Sequence, residues 1–306
     1  MKKVLIATEK PFAKVAVDGI KSILNDAGYK TILLEKYASV DELYQAVTDA
    51  DALIVRSDKV SKEVVKAAAN LKIVVRAGAG YDNLDLAACN ERAIVAMNTP
   101  GQNSNAVAEL AIGLMLYMAR NCWEPGTGTE LKGKKLGIHA YGNVGKLVAT
   151  LGKGFGMDIY AFDPFVDAEI IRNDGVTPVT DIAQLYASCQ YVSLHIPANE
   201  KTKRSIGYEL LSSMPKGGTL INTARKEVIE EEGLLKALME RNDLKYASDI
   251  APDAITTIQN SVGSRVFATS KKMGAETAEA NINAGLAAAR QIVDFFEKGD
   301  CKFKVN

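Results

Sequence analysis

The stretch Leu136-Gly-Ile-His-Ala-Tyr-Gly-Asn-Val-Gly145 reads as a short strand, a tight turn and an apolar-periodic helix over 146–155. Its AxGxxG spacing is one glycine short of the fingerprint that holds a dinucleotide pyrophosphate, with Ala140 in the place of the first glycine. Gly142 lets the backbone approach a pyrophosphate, and Gly145 lets the helix seat tightly on its strand. The helix N-terminus adds unpaired N–H groups and a partial positive charge. Ala140 is expected to cost little, provided its φ stays negative. A glycine-bearing turn that binds nothing would have the same sequence, so a second feature must decide. Ile159-Tyr-Ala-Phe-Asp163 is a strand ending in a carboxylate 18 residues beyond Gly145. A carboxylate at that spacing accepts hydrogen bonds from the adenosine ribose and repels the additional phosphate of NADP. Loop and carboxylate together point to NAD.

These groups need strands and helices to hold them. Short apolar runs suited to strands fall at 4–7, 31–34, 52–55, 73–75 and 94–97, then at 136–139, 159–162, 191–194, 219–222 and 246–249. None alternates with polar residues, as expected of strands buried on both faces of a parallel sheet. Helical patterns lie between them, and Ser39-Val-Asp-Glu42 has the spacing of a capping box. The chain therefore reads as α/β, with two doubly wound parallel sheets. A long apolar helix over 104–118 and a Gly/Thr-rich break over 121–133 separate the two sets of strands. An Ala-rich helical pattern over 275–297 would return the chain to the first set. The domains expected are thus 1–98 with 275–306, and 99–274.

Composition closes off other classes. Thirty-seven Lys and Arg balance 37 Asp and Glu, leaving no basic excess to neutralise a nucleic-acid backbone. The longest apolar run, 110–119, is about half the ~20 residues of a bilayer span, and the N-terminus lacks the apolar core of a signal peptide. Cys89, Cys122, Cys189 and Cys301 lie far apart, giving neither a metal site nor a disulfide framework. A cytoplasmic protein with no nucleic-acid or membrane partner is expected.

Several further motifs stand in one order along the chain. They are Val55-Arg-Ser57, Arg76-Ala-Gly-Ala-Gly-Tyr-Asp-Asn83, Asn98-Thr-Pro100, the AYGNVG loop, His195-Ile-Pro197, Ile221-Asn-Thr-Ala-Arg225 and Asp249. Through them the chain resembles the D-2-hydroxyacid dehydrogenase family over nearly its whole length. Within that family it resembles the short members acting on 3-phosphoglycerate, which carry a Lys for the catalytic His and lack a C-terminal regulatory domain. The resemblance implies a flavodoxin-like substrate domain, a Rossmann-type NAD domain and a cleft between them. It implies hydride transfer between C2 of a D-2-hydroxy acid and the nicotinamide, converting 3-phosphoglycerate to 3-phosphohydroxypyruvate in the first step of phosphorylated serine biosynthesis. A homodimer is also implied.

By the same resemblance, NAD would meet Ala79, Tyr141, Gly142, Asn143, Val144, Gly145, Asp163, His195, Ile196, Pro197, Thr202, Thr223, Ala224, Arg225, Asp249 and Gly274. The substrate would meet Arg56, Ser57, Lys59, Ala77, Gly78, Asn103, Arg225 and Lys272. Arg225 is the carboxylate-binding arginine, since a guanidinium fork matches a carboxylate. The family's general base is a His oriented by a Glu; here Lys272 stands at the His position and Ala254 at that of the Glu, with Asp253 the nearest carboxylate. An ammonium has no tautomer to fix, so Lys272 is expected to act as the acid/base without an acidic partner. Both histidines, His139 and His195, fall in cofactor-domain motifs. Two alternatives stay open: a reductase of glyoxylate, hydroxypyruvate or another 2-keto acid, and a non-catalytic NAD(H)-binding regulator.

Overall fold

A computed structural model describes residues 1–306. The chain divides into two compact units, Met1–Asn103 with Glu276–Asn306, and Ser104–Ala275. In the first, five parallel strands, β1 (Lys3–Thr8), β2 (Lys30–Glu35), β3 (Ala52–Val55), β4 (Ile73–Arg76) and β5 (Val95–Asn98), lie in the order β2-β1-β3-β4-β5. This is the flavodoxin-like order.

Why the strands carry no polar alternation follows from their two faces. Val4, Ile6, Ile54 and Val75 share a core with the helices Lys14–Asp26 and Ala278–Lys298. Their neighbours Leu5, Ala7, Leu53 and Val74 share another with the helices Val40–Val47, Lys62–Ala67 and Leu86–Glu91. Successive side chains point to opposite faces, and both faces are covered. The C-terminal helix reaches its core through small side chains, Ala284, Ala288 and Ala289, followed by Ile292. Glu42 accepts the Ser39 N–H at 3.2 Å, closing one half of the box that starts the helix Val40–Val47.

The second unit holds seven parallel strands: β6 (Lys135–His139), β7 (Asp158–Phe162), β8 (Thr177–Pro178), β9 (Tyr191–Leu194), β10 (Thr219–Asn222), β11 (Lys245–Ser248) and β12 (Val266–Ala268). Their order, β12-β11-β10-β9-β6-β7-β8, is the Rossmann order with one strand added beyond the sixth. The ten strands expected from sequence are present within one residue at each end. β8 and β12, of two and three residues, are too short to carry a periodic signal. No helix is long and apolar enough to cross a membrane.

Strand order reverses between β1 and β3 in one unit, and between β6 and β9 in the other. Ligands of doubly wound sheets gather beyond the carboxyl ends of strands at such a switch. Ala140, Asp163, His195, Thr223 and Asp249 each follow a strand of the second unit directly.

Candidate active site

The turn after β6 departs from one expectation. Ala140 has φ +82°, in the left-handed region that costs a residue with a Cβ about 1–2 kcal/mol. Gly145 is required sterically, because a Cβ there would lie 2.3 Å from the Ala140 carbonyl oxygen. Gly142 differs: a Cβ added there meets nothing within 4 Å, so the turn leaves open space where a pyrophosphate would approach. Gly142 is also the N-cap of the helix Asn143–Gly154 and offers no side chain to its first N–H groups. Asp163 accepts the N–H groups of Tyr141 and Phe165, both at 2.8 Å, which ties the carboxylate to the turn. The Tyr141 ring is buried in the core, so only its backbone lines the loop.

We expect Ala140→Gly to raise the unfolding free energy by about 0.5–1 kcal/mol, the relieved strain outweighing the added freedom of the unfolded chain. Denaturant titration of the two proteins checks this; a fall in stability would mean that the Ala140 methyl packs too well to lose.

Two buried polar atoms beyond β9 and β10, His195 Nε2 and Thr223 Oγ1, have no hydrogen-bond partner in the protein. They suit a polar cofactor better than a closed core. Thr202 is spent locally, donating to the Pro197 carbonyl at 2.5 Å and accepting from Asn199 N–H at 2.9 Å, which braces the loop after His195. Gly142, Asp163, His195 and Thr223 therefore fit an NAD molecule.

His139 lies 3.4 Å from the Tyr186 hydroxyl and packs edge-on against Phe162. Burial lowers its pKa to about 4, opposed by Asp163, and lowers that of His195 to about 3, helped by His139. Both imidazoles are neutral at working pH. The unfolded chain takes up protons below pH ~6.5 that the folded chain refuses, so this stability is full above ~6.5 and is lost as pH falls through about 4 and about 3. The loss should be on the order of 3 kcal/mol per histidine, and His139→Phe should flatten the decline in denaturation midpoint between pH 6.5 and 4. An unchanged slope in the variant would contradict it.

Beyond β10 the chemistry concentrates. Asn222, fully buried, accepts the Ala224 N–H and donates to the Arg225 carbonyl, both at 3.0 Å. This bracket shapes the loop carrying Arg225. In the sequence Asn222 stands only as part of the Ile221–Arg225 motif; the signal for its role is an Asn closing an apolar strand before a loop, where such side chains clamp nearby backbone. The Ala224 carbonyl then accepts from Arg225 Nη1 at 3.0 Å and from Lys272 Nζ at 2.6 Å. Two cations from segments 47 positions apart thus share one oxygen. Burial lowers the Lys272 pKa below the ordinary lysine value; Asp249 opposes the shift and Arg225 adds to it. The Lys272 side chain is 37% exposed overall, while its amine is directed at the Ala224 carbonyl.

Lys272 does have an acidic neighbour, contrary to expectation: Asp249 Oδ1 lies 3.5 Å from its Nζ. Asp253, the carboxylate nearest the missing Glu in sequence, is instead exposed and paired with Lys226 at 2.5 Å. Gly274 donates its N–H to Asp249 Oδ2 at 2.8 Å.

The substrate candidates of the first unit lie on the segments that follow β3, β4 and β5. Arg56 donates to the carbonyls of Lys10 and Pro11 and, at 2.6 Å, to Asn281, and it stacks over Phe12. Much of its donor capacity is thereby used within the fold. Ser57 and Lys59 are exposed. The N–H groups of Ala77 and Gly78 donate to Val55 and Arg76 carbonyls, so an anion at this turn would have to use those of Ala79 and Gly80. The Arg76 guanidinium crosses Gly78, 1.4 Å from where a Cβ would stand. Asn103 is half-buried at the end of the unit's first segment.

Residues 113–279 match the model of the D-isomer specific 2-hydroxyacid dehydrogenase NAD-binding domain. A crystal structure of an NAD+-bound 3-phosphoglycerate dehydrogenase from Entamoeba histolytica superposes with a TM-score of 0.89 at 50% identity, covering 100% of this chain and 98% of that one. Over 272 residues the chain is 36% identical to D-3-phosphoglycerate dehydrogenase of Methanocaldococcus jannaschii, covering 82% of this chain and 51% of that protein. Hydroxypyruvate reductase of Thermotoga maritima is 34% identical over 271 residues, covering 82% and 87%. The chain thus spans about half the length of the archaeal relative.

Proposed function

Because the chain belongs to the D-isomer specific 2-hydroxyacid dehydrogenase family, we propose that it moves hydride between C2 of a D-2-hydroxy acid and NAD, with 3-phosphoglycerate oxidised to 3-phosphohydroxypyruvate. The observation that carries this reading is the convergence of Arg225 and Lys272 on the Ala224 carbonyl. A 2-hydroxy acid presents a carboxylate and, one carbon away, a hydroxyl that must lose its proton. A guanidinium and an amine of lowered pKa side by side answer those two groups. NAD, when bound, supplies the hydride acceptor. Arg225 grips the carboxylate and polarises the C2 oxygen; Lys272 takes the hydroxyl proton onto its lone pair as the C2–O bond becomes a carbonyl. In reduction the ammonium returns that proton. The working form proposed is a cytoplasmic homodimer.

A second reading, reduction of hydroxypyruvate or glyoxylate, is favoured by the engagement of Arg56 with Lys10, Pro11 and Asn281, which competes with a substrate phosphate. Initial rates decide between them. On the first reading, 3-phosphoglycerate with NAD at alkaline pH turns over far faster than unphosphorylated D-glycerate. Substituting Arg56 and Lys59 by Ala then raises KM at least tenfold more for the phosphorylated substrate. Equal effects on both substrates would favour the reductase, and no turnover of any 2-hydroxy or 2-keto acid would remove both.

A further inference from the structure

We propose that Asp249 is the positioning residue of Lys272, taking the part that a glutamate takes beside a catalytic histidine elsewhere in the family. The inference rests on the acid/base reading of Lys272. Asp249 directly follows β11 and is fully buried, and its Oδ1 has no hydrogen-bond partner. A buried carboxylate oxygen left without a partner is costly, so a cation at 3.5 Å is its counter-charge. The other oxygen, Oδ2, accepts the Gly274 N–H at 2.8 Å. One carboxylate therefore fastens residues 272 and 274 of the same loop, by charge at the first and by a hydrogen bond at the second. β11 and β12 pair as far as Ser248 and Ala268, which brings the end of β11 beside the segment leading to Lys272.

The consequence is chemical as well as geometric. When Lys272 takes the hydroxyl proton it becomes an ammonium, and Asp249 stabilises that product as a triad aspartate stabilises an imidazolium. The charged groups bearing on the amine are Asp249, Arg225 and Glu227. The Ala224 carbonyl orients the amine and adds no net charge. Asp249 and Arg225 act in opposite directions, so the amine can be held ready in either protonation state.

The test uses the full chain without cofactor or substrate. Acetylation of Lys272 by acetic anhydride, followed by mass spectrometry across pH, reports the fraction of free amine. In Asp249→Asn the midpoint should fall by about one to two pH units, as loss of an adjacent opposite charge requires. Glu227→Gln should move it less. An unchanged midpoint in a natively folded Asp249→Asn variant overturns the proposal. Should that variant fail to fold, Lys272→Met decides. It leaves a buried carboxylate without its cation, so it should unfold at a clearly lower denaturant midpoint than the control Lys271→Met, whose side chain is exposed. Equal midpoints overturn the pairing. Because neither measurement involves turnover, failure here leaves the dehydrogenase reading to be judged by its own assay. In the active enzyme, Asp249→Asn should shift the alkaline limb of oxidation down by the same amount, which a merely structural role would not do.

Discussion

Lys272→Ala will lower turnover by about a thousandfold in both directions, within the 10²–10⁴ span that a positioned acid or base contributes. NAD affinity, measured by quenching of Trp123 fluorescence or by calorimetry, should stay within about twofold, because the residues that fit the cofactor lie beyond β6, β7, β9 and β10. In the proposed reaction, oxidation requires the neutral amine and reduction the ammonium. Burial places the Lys272 pKa below the ordinary 10.5, so oxidation should climb with pH and level off before that value, while reduction falls over the same interval. In Lys272→Ala that limb should vanish from both profiles. His139 and His195 are poor substitutes, since burial lowers their pKa to about 4 and about 3 and makes them weak bases. A variant retaining a tenth of the activity, or the same pH profile, would remove Lys272 from the chemistry.

The strands were legible because burial on both faces writes itself as uninterrupted apolar residues, and their alternation with helices pointed to two doubly wound sheets, whose types only the family resemblance implied. What lay beyond sequence was the geometry of single backbone positions and the pairing of distant side chains. Nothing local to Ala140 announces φ +82°, since the fingerprint only says that a glycine is usual there. The Lys272–Asp249 contact joins the ends of β11 and β12, and β12 is too short to be read from a pattern. Asp253, the carboxylate nearest the missing Glu in sequence, is held in an ion pair with Lys226 on an exposed turn, so nearness along the chain carries no partner for Lys272. Arg56 illustrates a related limit. A charged residue after a strand invites a ligand, yet carbonyls from Lys10 and Pro11 and the side chain of Asn281 also lie within its reach.

Arg225→Met should cost about 10²–10⁴ in kcat/KM, the range expected when one partner of a desolvated, bidentate charge pair is removed and the substrate carboxylate is left unanswered. Arg225→Lys separates two contributions. An ammonium keeps the charge but not the planar fork, so KM should still rise at least tenfold. The pH dependence separates them again. Arg225 pushes the Lys272 pKa down, and Asp249 pulls it up. Arg225→Met should therefore move the alkaline limb of oxidation to higher pH, whereas Arg225→Lys should leave it nearly in place. Loss of activity in Arg225→Met with no displacement of that limb would mean that Arg225 and Lys272 do not sense each other. Their shared Ala224 carbonyl would then be an accident of packing rather than the seat of the reaction.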